Sequence, residues 1–204
     1  MRITGGRWRS RALDAPRGMA TRPTSDRVRE ALFSMLVSDG LFGHDEDGEN
    51  EGEGEGDTGP RVLDLYAGTG ALAFEALSRG ASAAVLVEHA RDAVTAIRKN
   101  AGALGVGRAM VLFDTKVERA LLKIEGPFAI VFLDPPYADV RTPGFAGILA
   151  RAAALLGPGG ALVLEHASPD DPPGVAGLAL DRTRRYGDTS VTLYRAAQIL
   201  GSST

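Results

Sequence analysis

The chain has no cysteine among its 204 residues, which excludes disulfides, thiolate metal centres and a cysteine nucleophile. Histidine is nearly as scarce. His44, His89 and His166 are scattered and form no H-E-x-x-H or comparable ligand spacing, so a metal site would need mostly carboxylates, and no metal is expected. No run of about 18 apolar residues is present, which leaves no candidate membrane span. The first residues, Met1-Arg2-Ile3-Thr4-Gly5-Gly6, lack the apolar stretch of a secretory signal, so the expected location is the cytoplasm. What remains is a chain with 44% hydrophobic and 24% charged residues. That composition and length suit one core-forming domain with small additions, with a monomer as the default.

Basic residues look outnumbered, since the formal net charge is −3, but the average conceals a strong asymmetry. Eight arginines (Arg2, Arg7, Arg9, Arg11, Arg17, Arg22, Arg27, Arg29) face only Asp14 and Asp26 over residues 1–29. Residues 44–58 read H-D-E-D-G-E-N-E-G-E-G-E-G-D-T, with eight acids and no Lys or Arg. Without those eight acids the charge of −3 becomes +5, the sign expected of a body that binds phosphates. The acidic block alternates Glu with Gly and has almost no apolar residue, so it is expected to be a disordered insertion without catalytic role.

Residues 1–23 carry Gly, Arg, Pro16 and Pro23 and read as a small extension, with a hairpin as one form it could take, ahead of a main domain over 24–204. A helix is expected over 24–37, capped by Thr24 or Ser25, with Val28, Ala31, Leu32, Met35 and Leu36 at helical spacing. Arg27, Arg29 and Glu30 are read as facing away from its core side. From residue 60 onward apolar runs alternate with helical patterns. Strands are expected at Arg61–Tyr66, Ala83–Val87, Met110–Phe113, Phe128–Asp134 and Ala161–Glu165. Helices are expected at 71–79, 91–104, 116–123 and 144–156, and Gly157-Pro158-Gly159-Gly160 reads as a turn before the fifth strand. This alternation predicts a mostly parallel sheet covered by helices on both faces. At the end, Leu178–Tyr186 and Thr189–Arg195 around Gly187-Asp188 predict an antiparallel hairpin.

The first strand ends in D-L-Y-A-G-T-G (Asp64 to Gly70) and runs into a helix, so backbone amides and a helix N-terminus face the carboxyl end of the sheet, where ligands bind. Glu88 ends the next strand, placed to accept hydrogen bonds from ribose hydroxyls. Gly68-Thr69-Gly70-Ala71-Leu72-Ala73 also matches the G-x-G-x-x-A dinucleotide pattern, so on the loop alone an NAD-dependent oxidoreductase stays open. Asp64 favours another cofactor: its carboxylate suits the ammonium of an amino-acid-bearing group and would repel a pyrophosphate. After the fourth strand comes F-L-D-P-P-Y (Phe132 to Tyr137), whose D-P-P-Y is similar to the mark of amino-group methyltransferases. A base's exocyclic amine is a poor nucleophile because its lone pair is delocalised into the ring. If Asp134 and the Pro135 carbonyl accept its N–H bonds, the nitrogen can pyramidalise. Pro135-Pro136 fixes the carbonyl direction, and Tyr137 can stack on the base.

With these residues in view, the chain closely resembles the bacterial family of 16S ribosomal RNA guanine-N2 methyltransferases. The likeness spans nearly the whole length. It rests on I-T-G-G-R-W-R-S-R (Ile3 to Arg11), R-P-T-S-D-R-V-R-E-A-L-F (Arg22 to Phe33), L-D-L-Y-A-G-T-G-A-L (Leu63 to Leu72), E-A-L-S-R-G-A (Glu75 to Ala81), D-P-P-Y (Asp134 to Tyr137) and Y-G-D-T (Tyr186 to Thr189). The resemblance implies an α/β, Rossmann-like class I methyltransferase fold with a seven-stranded, mostly parallel sheet, an antiparallel C-terminal hairpin and an N-terminal extension that contacts RNA. It implies S-adenosyl-L-methionine as cofactor and, as partner, 16S ribosomal RNA in the assembling small subunit. The residues expected to bind cofactor are Asp64, Tyr66, Ala67, Gly68, Gly70, Glu88 and Asp114. Those expected to bind RNA are Arg7, Arg9, Arg11, Arg22, Arg27 and Arg29. Two departures stand out. The acidic block is not part of the family pattern, and Lys116 stands where relatives often carry an acid near the adenine, so Asp114 is the expected substitute. DNA adenine-N6 and protein glutamine methyltransferases share the D-P-P-Y chemistry and remain the alternatives.

Overall fold

A computed structural model describes residues 1–16, 26–42 and 59–196. Arg17, Arg22, the expected caps Thr24 and Ser25, and the acidic block lie outside the described residues.

Five apolar runs form parallel strands: β1 (Arg61–Leu65), β2 (Ala83–Glu88), β3 (Met110–Asp114), β4 (Phe128–Leu133) and β5 (Leu156–Ala167). Two more, β6 (Leu178–Tyr186) and β7 (Thr189–Ala196), complete a seven-stranded sheet in the order β3-β2-β1-β4-β5-β7-β6. β7 runs antiparallel to both β5 and β6. Between the strands lie α2 (Ala71–Ser78), α3 (Arg91–Leu104), α4 (Val117–Ala120), α5 (Tyr137–Val140) and α6 (Phe145–Ala153), and α1 (Asp26–Ser38) precedes them all.

Strand side chains alternate between faces, so each strand feeds two cores. Val62, Ile130, Phe132 and Val163 pack with α1, α2 and part of α3. Leu63, Leu65, Val131, Leu133 and Leu164 pack with α4 and α6 on the other side. Helix α1 is seated by Phe33, whose ring lies 5.7 Å from Phe132 and 5.6 Å from Phe42.

Residues 1–13 form a small hairpin that belongs to the first core. Arg2 and Ala12 form an antiparallel bridge, and Ile3, Trp8 and Leu13 are buried in the same cluster as α1 and α2. Its tip docks on the end of α2: the Trp8 amide donates to Ser78 Oγ at 2.9 Å, and Ser78 Oγ donates to the Gly5 carbonyl at 2.6 Å. At Gly6, φ is +71° and a Cβ would collide with the Ser78 carbonyl. This close approach accounts for the paired glycines of I-T-G-G-R-W.

Two expectations are corrected. Gly157–Gly160 is not a turn ahead of the strand but a bulged part of β5, since Phe128 pairs with Leu156 while Ile130 pairs with Ala161. Gly159, at φ +72°, lets the extra residues loop out without breaking the pairing. The second concerns Arg29, read from the sequence as an outward, phosphate-binding residue. It is fully buried. Its Nε donates to Glu75 Oε2 at 3.2 Å, and its Nη2 donates to Asp26 at 2.9 Å and to the Arg2 carbonyl. The guanidinium is thus committed to joining α1, α2 and the N-terminal hairpin, because a charge inside the core requires partners on every side.

Candidate active site

β1 has neighbours β2 on one side and β4 on the other, so the chain's direction of winding reverses between β1 and β4, where open α/β sheets hold their ligands. Leu65 pairs with Leu133 in parallel register. Tyr66 and Asp134, the next residues of each strand, therefore leave the sheet side by side. The glycine loop and D-P-P-Y, 70 residues apart in sequence from Asp64 to Asp134, share one rim.

The glycine loop is held from below. The Ala67 amide donates to the Val87 carbonyl at 3.0 Å, and the Gly68 amide to Glu88 Oε2 at 2.8 Å. Glu88 Oε1 accepts from the His89 and Ala90 amides at 2.7 and 2.8 Å. The Glu88 carboxylate thereby links the loop to the start of α3. Gly70, at φ +79°, turns the chain into α2, and a Cβ there would lie 2.6 Å from the Phe74 ring. Gly68, at φ +56°, is different: a Cβ there would meet nothing within 4 Å. Tyr66 takes φ +65°, an uncommon value for a residue with a side chain. Burial pushes its phenol up to about 12, with Glu118 and Asp139 adding to the effect, so it stays protonated.

Asp64 lies beneath this loop. One oxygen, Oδ2, accepts from the Ala73 amide in the first turn of α2 at 3.1 Å. The other, Oδ1, is buried with no hydrogen-bond partner. Burial pushes the carboxyl up to about 7, opposed by the Ala73 amide and reinforced by Glu88. An unsatisfied buried carboxylate oxygen is costly unless a donor arrives. Together with the open side of Gly68, it fits the ammonium of S-adenosylmethionine, a donor for that oxygen.

Asp134 is half-buried, Pro135 buried and Pro136 exposed. Tyr137 is half-buried and starts α5, and its phenol lies 2.8 Å from Thr189 Oγ1. The structure thus joins D-P-P-Y to Y-G-D-T. Asp114, at the end of β3, is exposed and accepts from Arg98 Nη2 at 3.2 Å, while Lys116 precedes α4. Arg7, Arg9, Arg11 and Arg27 are exposed; Arg7 stacks on Trp8 at 4.1 Å and Arg11 Nη1 donates to the Ala103 carbonyl at 3.4 Å.

Two residues to which the sequence reading gave no role matter here. Asn100, 3% exposed, accepts from the Asp14 amide at 2.8 Å and donates from Nδ2 to the Asp14 and Thr69 carbonyls at 3.1 Å each. It ties the N-terminal hairpin to the glycine loop. Its signal is its place three residues after Ile97 and four before Leu104, within the apolar stripe of α3. Glu75, fully buried, accepts from the Thr4 and Gly5 amides, Arg29 and Arg79. A lone acid inside the apolar run A-L-A-F-E-A-L marks it.

The reversal point, the buried acid under a glycine loop and D-P-P-Y beside it are those of a Rossmann-like class I methyltransferase. The chain belongs to the family described as Conserved hypothetical protein 95, whose model matches residues 1–195. It is 32% identical over 199 residues to the Bacillus subtilis (strain 168) protein named "Putative rRNA methyltransferase YlbH", covering 96% of this chain and 98% of that one. It is 37% identical over 137 residues to Ribosomal RNA small subunit methyltransferase D of Escherichia coli (strain K12), covering 67% of this chain and only 60% of that protein's length. Among solved structures, "Putative methyltransferase yhhF from Escherichia coli" superposes with a TM-score of 0.74 at 30% identity, over 97% of this chain and 98% of that chain. Among the described residues no helix is long and apolar enough to cross a membrane.

Proposed function

We propose that this protein uses S-adenosylmethionine to methylate N2 of a guanine in 16S ribosomal RNA, within the assembling small subunit. The observation that carries the reading is the Leu65–Leu133 pairing, which puts the buried Asp64 loop and the D-P-P-Y turn on one rim. The names of the two curated relatives support ribosomal RNA as the substrate class.

When bound, S-adenosylmethionine supplies an electrophilic methyl group on its sulfonium. Asp64 Oδ1 would receive the ammonium, Tyr66, Ala67, Gly68 and Gly70 would line the loop, Glu88 would meet the ribose and Asp114 the adenine. At the acceptor, the Asp134 carboxylate and Pro135 carbonyl take the amine's two N–H bonds and direct its lone pair across the rim. Tyr137, steadied by Thr189, offers its ring to the extruded base. Positioning of the two reactants supplies most of the rate. Arg7, Arg9, Arg11 and Arg27, with Arg22 beyond the described residues, bind phosphates; Arg29 is not among them.

The test is methyl transfer from labelled S-adenosylmethionine to small subunits from cells lacking the protein, with the product located by nuclease digestion and mass spectrometry. Label at guanine N2 is expected. Asp134→Ala should lose on the order of a hundredfold in turnover while still binding S-adenosylhomocysteine, as loss of a transition-state contact does. Label on adenine or on a protein, or near-normal turnover in that variant, would overturn the reading.

A further inference from the structure

We propose that Arg184 and Arg185, on the two faces of the rim end of β6, give the tip of the β6–β7 hairpin two phosphate contacts for the RNA strand that flanks the target base. This rests on the reading of RNA as substrate and assigns it a contact surface separate from the N-terminal arginines.

The sheet brings the patch to the acceptor site. β4 and β5 are parallel, so β5 ends at the same rim as Asp134. Ala167 pairs with Thr189 and Thr189 with Tyr186, so the tip of the β6–β7 hairpin lies at that rim too. Thr189 bonds Tyr137 of D-P-P-Y at 2.8 Å, and Arg184 and Arg185 directly precede Tyr186. β6 is the last strand of the sheet, so its outer edge faces solvent.

Charge pairing separates these two arginines from their neighbours. Arg182 and Arg195 are held by Asp39 and Asp181. Arg184 and Arg185 are exposed, and among the described residues no carboxylate forms a salt bridge with either. Arg185 donates its Nε to the Gly187 carbonyl at 3.1 Å, which fixes its guanidinium at the hairpin turn. The turn has one acid, Asp188, against the two arginines.

Arg7 and Arg11 sit away from this position. Arg7 stacks on Trp8, which is bonded to Ser78 at the end of α2, and Arg11 reaches Ala103 near the end of α3. Both helices start at the rim and run away from it, at 1.5 Å per residue for roughly 12 and 21 Å. The hairpin tip supplies cations nearer the extruded base than these two.

The experiment compares Arg184→Ala/Arg185→Ala, Arg184→Lys/Arg185→Lys and the exposed control Arg151→Ala with the unaltered protein. It reads KM for ribosomal RNA at several salt concentrations, kcat, S-adenosylhomocysteine affinity and melting temperature. The double alanine variant should raise KM on the order of tenfold and flatten the log-log salt slope by about 1.4, or about 0.7 per lost contact to a single strand. Its melting and cofactor affinity should match the unaltered protein, the lysine pair should restore most of the slope, and Arg151→Ala should change nothing. If the unaltered protein methylates RNA and the double alanine variant keeps its KM and slope, the patch alone is overturned. If the unaltered protein does not methylate RNA, the substrate reading falls and the patch with it.

Discussion

Arg29 and Glu75 face each other in the core, both side chains fully excluded from solvent, with Arg29 Nε donating to Glu75 Oε2 at 3.2 Å. Arg79 approaches the other carboxylate oxygen at 2.9 Å, and the Thr4 and Gly5 amides complete the set. One carboxylate therefore gathers α1, α2 and the N-terminal hairpin.

Arg29→Ala should accordingly act on stability rather than on RNA. Removing one partner of a buried ion pair costs about 3 kcal/mol or more, because the remaining charge stays in the core. Urea unfolding should show that loss, with the salt slope of RNA binding unchanged for the folded protein. A variant with full stability and a weakened salt slope would restore the arginine to the RNA surface.

Asp64 should make cofactor binding depend on pH. Its carboxyl is raised from 3.8 to about 7 by burial, so between those values the folded protein holds a proton that the unfolded chain has released. The resulting loss of stability is absent below 3.8, grows as pH rises and is complete above about 7. An incoming ammonium reverses this by favouring the ionised form. Calorimetry should find S-adenosylhomocysteine affinity rising from pH 5 to about 7, with proton release, then levelling. Asp64→Asn should abolish that rise and make the free protein more stable at pH 8.

The two loop glycines should fail differently. Gly70→Ala meets the Phe74 ring and a φ of +79°, so it should cost at least about 1–2 kcal/mol of stability. Gly68→Ala shares the backbone penalty but meets no protein atom, so its additional effect should fall on S-adenosylhomocysteine affinity. Equal cofactor affinity in Gly68→Ala and the unaltered protein would show that the ligand does not pass that face.

Asn100→Ala should loosen the glycine loop from the N-terminal hairpin. The two bonds to the exposed Asp14 are lost, and the buried Thr69 carbonyl is left without this partner, at about 1–3 kcal/mol for a buried polar group left unsatisfied. Hydrogen exchange should rise in both segments together. Exchange confined to one of them would mean that Asn100 does not join them.

Local pattern determined much of this protein. The apolar runs that became β1 to β4, the helical stripes of α1 and α3, and the hairpin around Gly187-Asp188 needed only periodicity and turn chemistry, which act over a few residues. The positions of D-P-P-Y and the Asp64 loop at strand ends were likewise legible, because each follows an apolar run of strand length. Only the tertiary structure decided the rest. Whether Gly157–Gly160 ends a strand or bulges within one depends on the pairing of Phe128 and Ile130 with a strand 30 residues away. Whether Arg29 meets phosphate or Glu75 depends on which face of α1 the sheet covers, and an arginine in an apolar stripe reads either way until its partner is placed. The Tyr137–Thr189 and Asn100–Thr69 bonds join residues far apart in the chain, and no local propensity encodes such meetings. They arise because strand order and helix packing are settled by burial of the whole core.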